Sequence, residues 1–290
     1  MTFSLTTVET GAGLVKELTA GRTPSPSPIA KVDTYRRENP MTRRCLQYFS
    51  VLLCLLLPIQ GWAAITEVGG GSQRASGTFS GTGAKTVAFP GNVASGSLIV
   101  VAGTVYSNSG GAPSISVTDN RSPSFVVTTT VIDGQDDNFI ACGFTTSSGA
   151  NTISVTNSVG DASNTMWYSI DEFSGADKAS CPEVDGSIST ANSTTASDSL
   201  TTLNANALVV GVMTTDSPDT SFTPGGGWTQ IAEQESHAVQ SGSAIFQIVG
   251  AAGSYSPSWT LDASRIWYVS SASFKAAADE TFGFRMRRIQ

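Results

Sequence analysis

Few residues in the chain could carry acid–base or nucleophilic chemistry. His237 is the only histidine, so no Ser-His-Asp arrangement can be argued from the many serines. Asp171 and Glu172 are adjacent carboxylates, but neighbours on a strand point to opposite faces and cannot flank one glycosidic bond. The sequence has no phosphate loop with a lysine, no Cys-x-x-Cys and no His-Glu-x-x-His. An enzyme is therefore disfavoured, and a hydrolase that uses Asp171 or Glu172 is the third hypothesis for function.

An acidic loop is the first group that could hold a metal ion. Asp133, Asp136 and Asp137 lie between two apolar runs. Ca²⁺ takes roughly six to eight oxygen ligands, and clustered carboxylates on a loop can supply several of them. The spacing does not match the EF-hand pattern, and a polar hairpin turn explains the same residues. Calcium at this loop is thus a weak expectation, and no other cofactor is expected.

A second group has an alternating spacing. Glu233, Glu235 and His237 lie at i, i+2 and i+4, which would place all three on one face of a strand, where they could grip a metal. A solvated strand end is the preferred interpretation.

Aromatic residues provide the remaining chemistry, because their flat faces can stack on sugar rings. Trp167 and Tyr168 recur one hundred residues later as Trp267 and Tyr268, and Trp228 follows a run of three glycines. Alternation along a strand puts the two rings of each pair on opposite faces. We expect one ring of each pair to pack in the core. The outward ring makes Tyr168, Tyr268 and Trp228 weak candidates for binding a ligand.

A signal for export lies near the N-terminus. Arg43 and Arg44 precede an apolar run at residues 48–57, and small residues follow up to Ala63. This pattern predicts a signal peptide over residues 41–63 with cleavage after Ala63. The apolar run is too short for a transmembrane helix, which needs about 20 residues, so no transmembrane anchor is expected. Residues 1–40 are either a disordered extension or an artefact of an incorrectly assigned start.

Two cysteines, Cys142 and Cys181, remain after that cleavage. Export permits oxidation, which makes them candidates for a disulfide. Two buried thiols would look the same in sequence, so both interpretations stay open.

The exported part is acidic. Residues 64–290 contain nine basic and nineteen acidic residues, which disfavours binding to nucleic acid because phosphates would be repelled. The charge is compatible with neutral glycans, with Ca²⁺ or simply with solubility.

Short β-branched and apolar runs separated by turn residues predict an all-β fold. The runs recur in the same order at about 95–176 and 205–276, as in a diverged duplication. We therefore expect an antiparallel two-sheet sandwich over residues 64–276, jelly-roll-like and built from two half-repeats whose apolar faces are pressed together. Two tandem immunoglobulin-sized domains are the alternative. Residues 277–290 are expected to be a disordered tail.

Several turn and strand motifs accompany this pattern: GSLIVV at 96–101, VTDN at 117–120, GANTISV at 149–155, PGGGW at 224–228 and ASFK at 272–275. Together they resemble a β-sandwich domain of secreted bacterial proteins and phage tail or surface proteins. The resemblance implies a fold and carries no catalytic residues. Many relatives of that domain sit beside glycan-binding or adhesive modules, which is an association only. The exported, acidic, helix-poor sandwich without a catalytic set makes a secreted or cell-surface binding module, for glycans or another surface, the leading hypothesis. A structural, self-assembling extracellular protein is the second.

Overall fold

The computed structural model describes residues 64–81, 83–106, 114–131, 136–158, 165–186, 188–217, 221–234 and 240–278. All of them belong to one compact unit, Pro58–Gln290. The predictions for residues 1–40, for the signal peptide at 41–63 and for most of the tail lie outside the described residues. Within them, strands dominate and one short 3-10 turn occurs at Val68–Gly71, so the all-β prediction is confirmed.

The strands, in chain order, are β1 (Thr66–Glu67), β2 (Ala75–Ser80), β3 (Lys85–Val93), β4 (Leu98–Tyr106), β5 (Ile115–Thr118), β6 (Phe125–Val131), β7 (Asp136–Phe144), β8 (Gly149–Asn157), β9 (Thr165–Ser174), β10 (Val184–Asp185), β11 (Ser189–Ser197), β12 (Leu200–Thr202), β13 (Ala207–Thr215), β14 (Phe222–Pro224), β15 (Thr229–Gln234), β16 (Ser241–Val249), β17 (Gly253–Tyr255) and β18 (Ser258–Phe274).

Two large antiparallel sheets form the centre of the molecule. One has the order β1-β9-β4-β7-β6, with β2 also paired to β9, and the other has the order β10-β18-β13-β16-β15, with β11 and β14 also paired to β18. The two strand orders correspond: β1, β9, β4, β7 and β6 occupy the same places in the first sheet as β10, β18, β13, β16 and β15 do in the second. A three-stranded sheet, β3-β8-β5, and a two-stranded sheet, β12-β17, complete the described strands.

The central strands β4 and β13 are buried on both faces. In β4, Leu98 and Val100 belong to a cluster shared with the second half, whereas Ile99 and Val101 belong to a cluster inside the first half. This division follows from the two-residue period of a strand. It explains why β4 and β13 read as continuous apolar runs, whereas a sheet with one wet face would alternate.

The apolar core therefore has three parts. One cluster lies between the two large sheets and includes Leu208, Val210 and Phe246 from the second half. Another lies between β3-β8-β5 and the first large sheet. In the second half, β12, β14, β17 and the beginning of β18 cover the outer face of the other large sheet, around Trp259 and Leu200.

This architecture differs from a single sandwich made of two facing halves. The halves do face each other, but each half also has its own outer layer and its own core. The outer layers use strands at residues 85–93 and 189–202, which lie before the expected repeat starts at 95 and 205. The antiparallel β-sandwich class is confirmed, whereas the jelly-roll description and the origin from half-repeats stay predictions.

Candidate functional site

Tyr168, the first aromatic candidate, is fully buried in the core of the first half. Its hydroxyl donates hydrogen bonds to the carbonyl oxygens of Lys85 at 2.8 Å and Ile153 at 3.3 Å. Burial raises the pKa of this hydroxyl well above its ordinary value. The alternation along β9 places its ring toward the outer layer of the same half, where the ring is not accessible for stacking on a ligand.

The second Trp-Tyr pair is not equivalent to the first. Leu98 pairs with Phe173 and Leu208 pairs with Phe274, so the structural offset between β9 and β18 is 101 residues and not one hundred. As a result Trp167 faces the second half, whereas Trp267 packs inside the core of its own half. The two rings of each pair lie on opposite faces of their strand, as the alternation predicts, but the faces are exchanged between the two pairs because the register differs by one position.

Tyr268 and Trp228 are only partly accessible. Tyr268 is half-buried on the side of β18 that faces the first half. Trp228 is half-buried against two core clusters. In the part of the chain that the structure describes, the large apolar side chains classed as exposed are all aliphatic, so these aromatic candidates do not form an open stacking platform.

Of the predicted metal ligands in the acidic loop, the structure describes the side chain of Asp137 alone. Asp133 lies outside the described residues, Asp136 begins β7, and Asp137 is fully buried. Over the described ranges, no group of three or more histidine, cysteine, aspartate or glutamate side chains could hold a metal ion.

The second metal candidate lies at the end of β15. Glu233 is exposed, and one of its carboxylate oxygens accepts a hydrogen bond from the Gln230 side-chain amide at 2.6 Å. Glu235 and His237 lie outside the described residues.

Cys142 and Cys181 form a disulfide with an S–S distance of 2.04 Å. Cys142 is buried on β7, and Cys181 lies in the segment between β9 and β10. The disulfide therefore attaches the segment between the two halves to the face of the first large sheet.

Asp171 and Glu172 occupy opposite faces of β9, as their adjacency predicts. Glu172 accepts a hydrogen bond from the backbone N–H of Ala94 at 2.7 Å. Asp171 instead lies 3.5 Å from Nε of Arg74 on the other face. Both carboxylates are fully buried. They face different layers and contact different residues, so they do not form a catalytic pair.

Arg74 organises a polar cluster at the boundary between the halves. Its Nε lies 2.5 Å from a carboxylate oxygen of Glu67, and its Nη1 donates to the carbonyl of Gln230 at 2.7 Å. Its guanidinium carbon is 5.4 Å from the centre of the Phe246 ring, within the range of a cation–π interaction. Gln230 and Phe246 belong to the second half, so this arginine joins the two halves.

The carboxyl of Asp171 has a strongly shifted pKa within this cluster. Burial, followed by the nearby negative charge of Glu67, raises its pKa to about 8, because both disfavour the ionised form. Glu67 and Arg74 were not predicted as site residues. The sequence marks them only as charged residues near a short strand, in a chain that has few charges.

The ends of the central strands from both halves lie together. The end of β4 pairs with the start of β7, and the end of β13 pairs with the start of β16. Across the boundary, Nδ2 of Asn138 donates to the carbonyl of Tyr268 at 3.0 Å, and Nε2 of Gln240 donates to Oγ1 of Thr104 at 3.2 Å. The connections that follow β4, β6, β8, β13 and β15 leave from this end, which we call the loop-bearing end.

A narrow crevice lies between the halves at the loop-bearing end and has no room for a water molecule. Among the described residues its lining contains no charged side chain and consists of Thr78, Thr104, Thr165, Met166, Trp167, Gln234, Gln240, Ser241 and Gly242. Oε1 of Gln240 and Oγ1 of Thr165 are buried and have no hydrogen-bond partner among the described residues. Hydroxyls, amides and one indole are groups that recognise neutral polar molecules.

The chain matches no known family model, and it matches no curated protein and no solved structure. The resemblance to secreted bacterial and phage surface domains therefore stays a prediction. A search of the described residues for a helix long and apolar enough to cross a membrane found none.

Proposed function

We propose that this chain is an exported, non-catalytic binding or adhesion module that recognises a neutral polar ligand, with glycans as the ligand class. The observation that carries the proposal is the crevice at the loop-bearing end, to which both halves contribute and whose described lining carries hydroxyls, amides and one indole but no charge. The crevice has no room even for a water molecule, far below the roughly 300 Å³ typical of pockets that enclose a whole small molecule. The ligand would therefore rest on the rim of the crevice and on the surface around it.

The surrounding observations support a binding role over catalysis. Asp171 and Glu172 face different layers, and neither lines the crevice. Connections between strands at one end of a rigid sandwich are a common location for recognition. The Cys142–Cys181 disulfide fits the oxidising surroundings that the signal peptide at 41–63 implies.

A glycan array tests the proposal directly. We expect the chain from Pro58 to Gln290 to bind a defined subset of neutral glycans. Thr78 is an exposed threonine in the lining, and its hydroxyl donates to Oε1 of Gln234, another lining residue. Thr78→Val removes this hydroxyl and should weaken glycan binding by roughly two- to tenfold, the usual net effect of one lost hydrogen bond.

The matched control is Thr201→Val, another exposed threonine, on β12 and outside the crevice. Its affinity should equal that of the wild type. Absence of glycan binding both with and without Ca²⁺, or equal loss in the two variants, would contradict the proposal.

A further inference from the structure

Strand β6 forms one edge of the first large sheet. It pairs with β7 over seven consecutive positions, from Phe125 opposite Gly143 to Val131 opposite Asp137, without a register shift. Among the described strands it pairs with no other. A straight edge of this kind presents backbone N–H and C=O groups that can template another strand.

The other edges carry features that discourage such pairing. Strand β15 contains Glu233 and a register shift between Gln230 and Ala232. Strand β3 contains Lys85 and Pro90, and its pairing with β8 is also shifted. Charges, proline and bulges are the usual protections of sheet edges.

The remaining edges are short, shifted or interrupted by a glycine. Strand β5 has four residues, and β1 and β10 have two each. The pairing of β11 is shifted between Ser193 and Thr195, and β2 contains Gly77. Among the described strands, only β6 combines length with an unshifted register and the sequence Phe-Val-Val-Thr-Thr-Thr-Val, which has no charge, proline or glycine. A hydrogen bond between the side chains of Thr128 and Asp185 engages a face of β6 and not its backbone edge.

Val126 provides an exposed apolar side chain on this edge. Its side chain is 48% exposed, although it lies opposite Cys142, which is buried. Residues opposite each other share one face of a sheet, so Val126 extends the apolar face of the first large sheet beyond its covered area. An added strand beside β6 would cover it.

We propose that β6 of one copy of the chain pairs antiparallel with β6 of a second copy, so that the first large sheets of the two copies become continuous. Two uncharged identical strands place no like charges opposite one another, and the valines and threonines suit strand pairing. The two-fold arrangement uses the same edge in both copies and leaves neither edge open, so assembly stops at a dimer.

Sedimentation over micromolar to millimolar concentrations of the chain from Pro58 to Gln290 tests the proposal. We expect a reversible dimer that Val126→Lys weakens by roughly tenfold or more, since both copies bring a lysine to the same small contact. Leu203→Lys is the matched control, because Leu203 is 68% exposed but lies between β12 and β13 and not on an edge strand. It should leave the dimer unchanged.

Hydrogen exchange of the wild type provides a second readout that needs no variant. The backbone amides of β6 should gain protection as the concentration rises, while those of the β15 edge should not. A monomer at all concentrations, a dimer unaffected by Val126→Lys in a folded variant, or protection that appears at β15 and not at β6 would each overturn the proposal.

Discussion

Replacing Asp171 with asparagine should remove most of the pH dependence of folding stability at the boundary between the halves. Asp171 is fully buried, accepts a hydrogen bond from the backbone N–H of Glu172 at 2.8 Å and lies beside Glu67 and Arg74. Burial and the charge of Glu67 raise its pKa to about 8, so the folded chain keeps a proton on this carboxyl at neutral pH. An asparagine side chain is a neutral mimic of that protonated form and can keep the Glu172 hydrogen bond.

The sign of the effect follows from proton linkage. The unfolded chain releases the Asp171 proton near pH 4, whereas the folded chain releases it near pH 8. Stability from this group is therefore fully present below pH 4 and is lost as the pH rises through 8. That difference corresponds to on the order of 5 kcal/mol, or roughly 10–20 °C in the melting temperature of a domain of this size.

Thermal unfolding at pH 5 and at pH 8.5, with the disulfide intact, measures the effect. We expect Asp171→Asn to melt only slightly above the wild type at pH 5, where most of the protonation stability remains, and at a clearly higher temperature at pH 8.5. Asp177→Asn is a control of opposite sign, because a backbone hydrogen bond from Ala179 and the ion pair with Lys275 lower the Asp177 pKa. It should lose stability at neutral pH and approach the wild type in acid. An Asp171→Asn variant whose melting temperature still falls with pH as steeply as the wild type would refute the reasoning.

Three further perturbations test other parts of the fold by urea or thermal unfolding. Replacing Cys142 and Cys181 with serine should cost roughly 2–4 kcal/mol, and an unchanged midpoint would show that the disulfide does not form. Gly103→Ala should cost about 1–3 kcal/mol or more, because a Cβ there would lie 2.3 Å from a backbone oxygen; Gly226→Ala, which meets nothing within 4 Å, should be nearly neutral. Asn138→Ala should cost about 1–3 kcal/mol, since two carbonyls of the second half would lose its amide; no loss would mean that these bonds do not hold the halves together.

The strands and the faces of their residues could largely be predicted from the sequence. Period-two alternation correctly separated Asp171 from Glu172 and Trp167 from Tyr168, because it depends only on local backbone geometry. The apolar runs at 97–102 and 207–212 correctly indicated strands. They did not show that both faces of these strands meet separate cores, since a run buried on two sides looks the same whichever layers cover it.

What could not be predicted depends on register and on distant partners. The Trp-Tyr repeat suggested an offset of one hundred residues between β9 and β18. Because Phe173 pairs with Leu98 and Phe274 pairs with Leu208, the offset is 101. A shift of one position turns every side chain of a strand to the other face. Similarly, Arg74 acquires its role only because Gln230, 156 residues away, lies beside it. No local pattern encodes that proximity.

The apolar face shared by the two large sheets has a consequence for the newly made chain. The first half ends about one hundred residues before the second half is complete, and a ribosome adds roughly 5–20 residues per second. For several seconds or more, Leu98, Val100 and their neighbours therefore have no covering layer. A shortened chain that stops after the first half would remain permanently in that condition, and we expect it to be recovered as aggregate or bound to a chaperone.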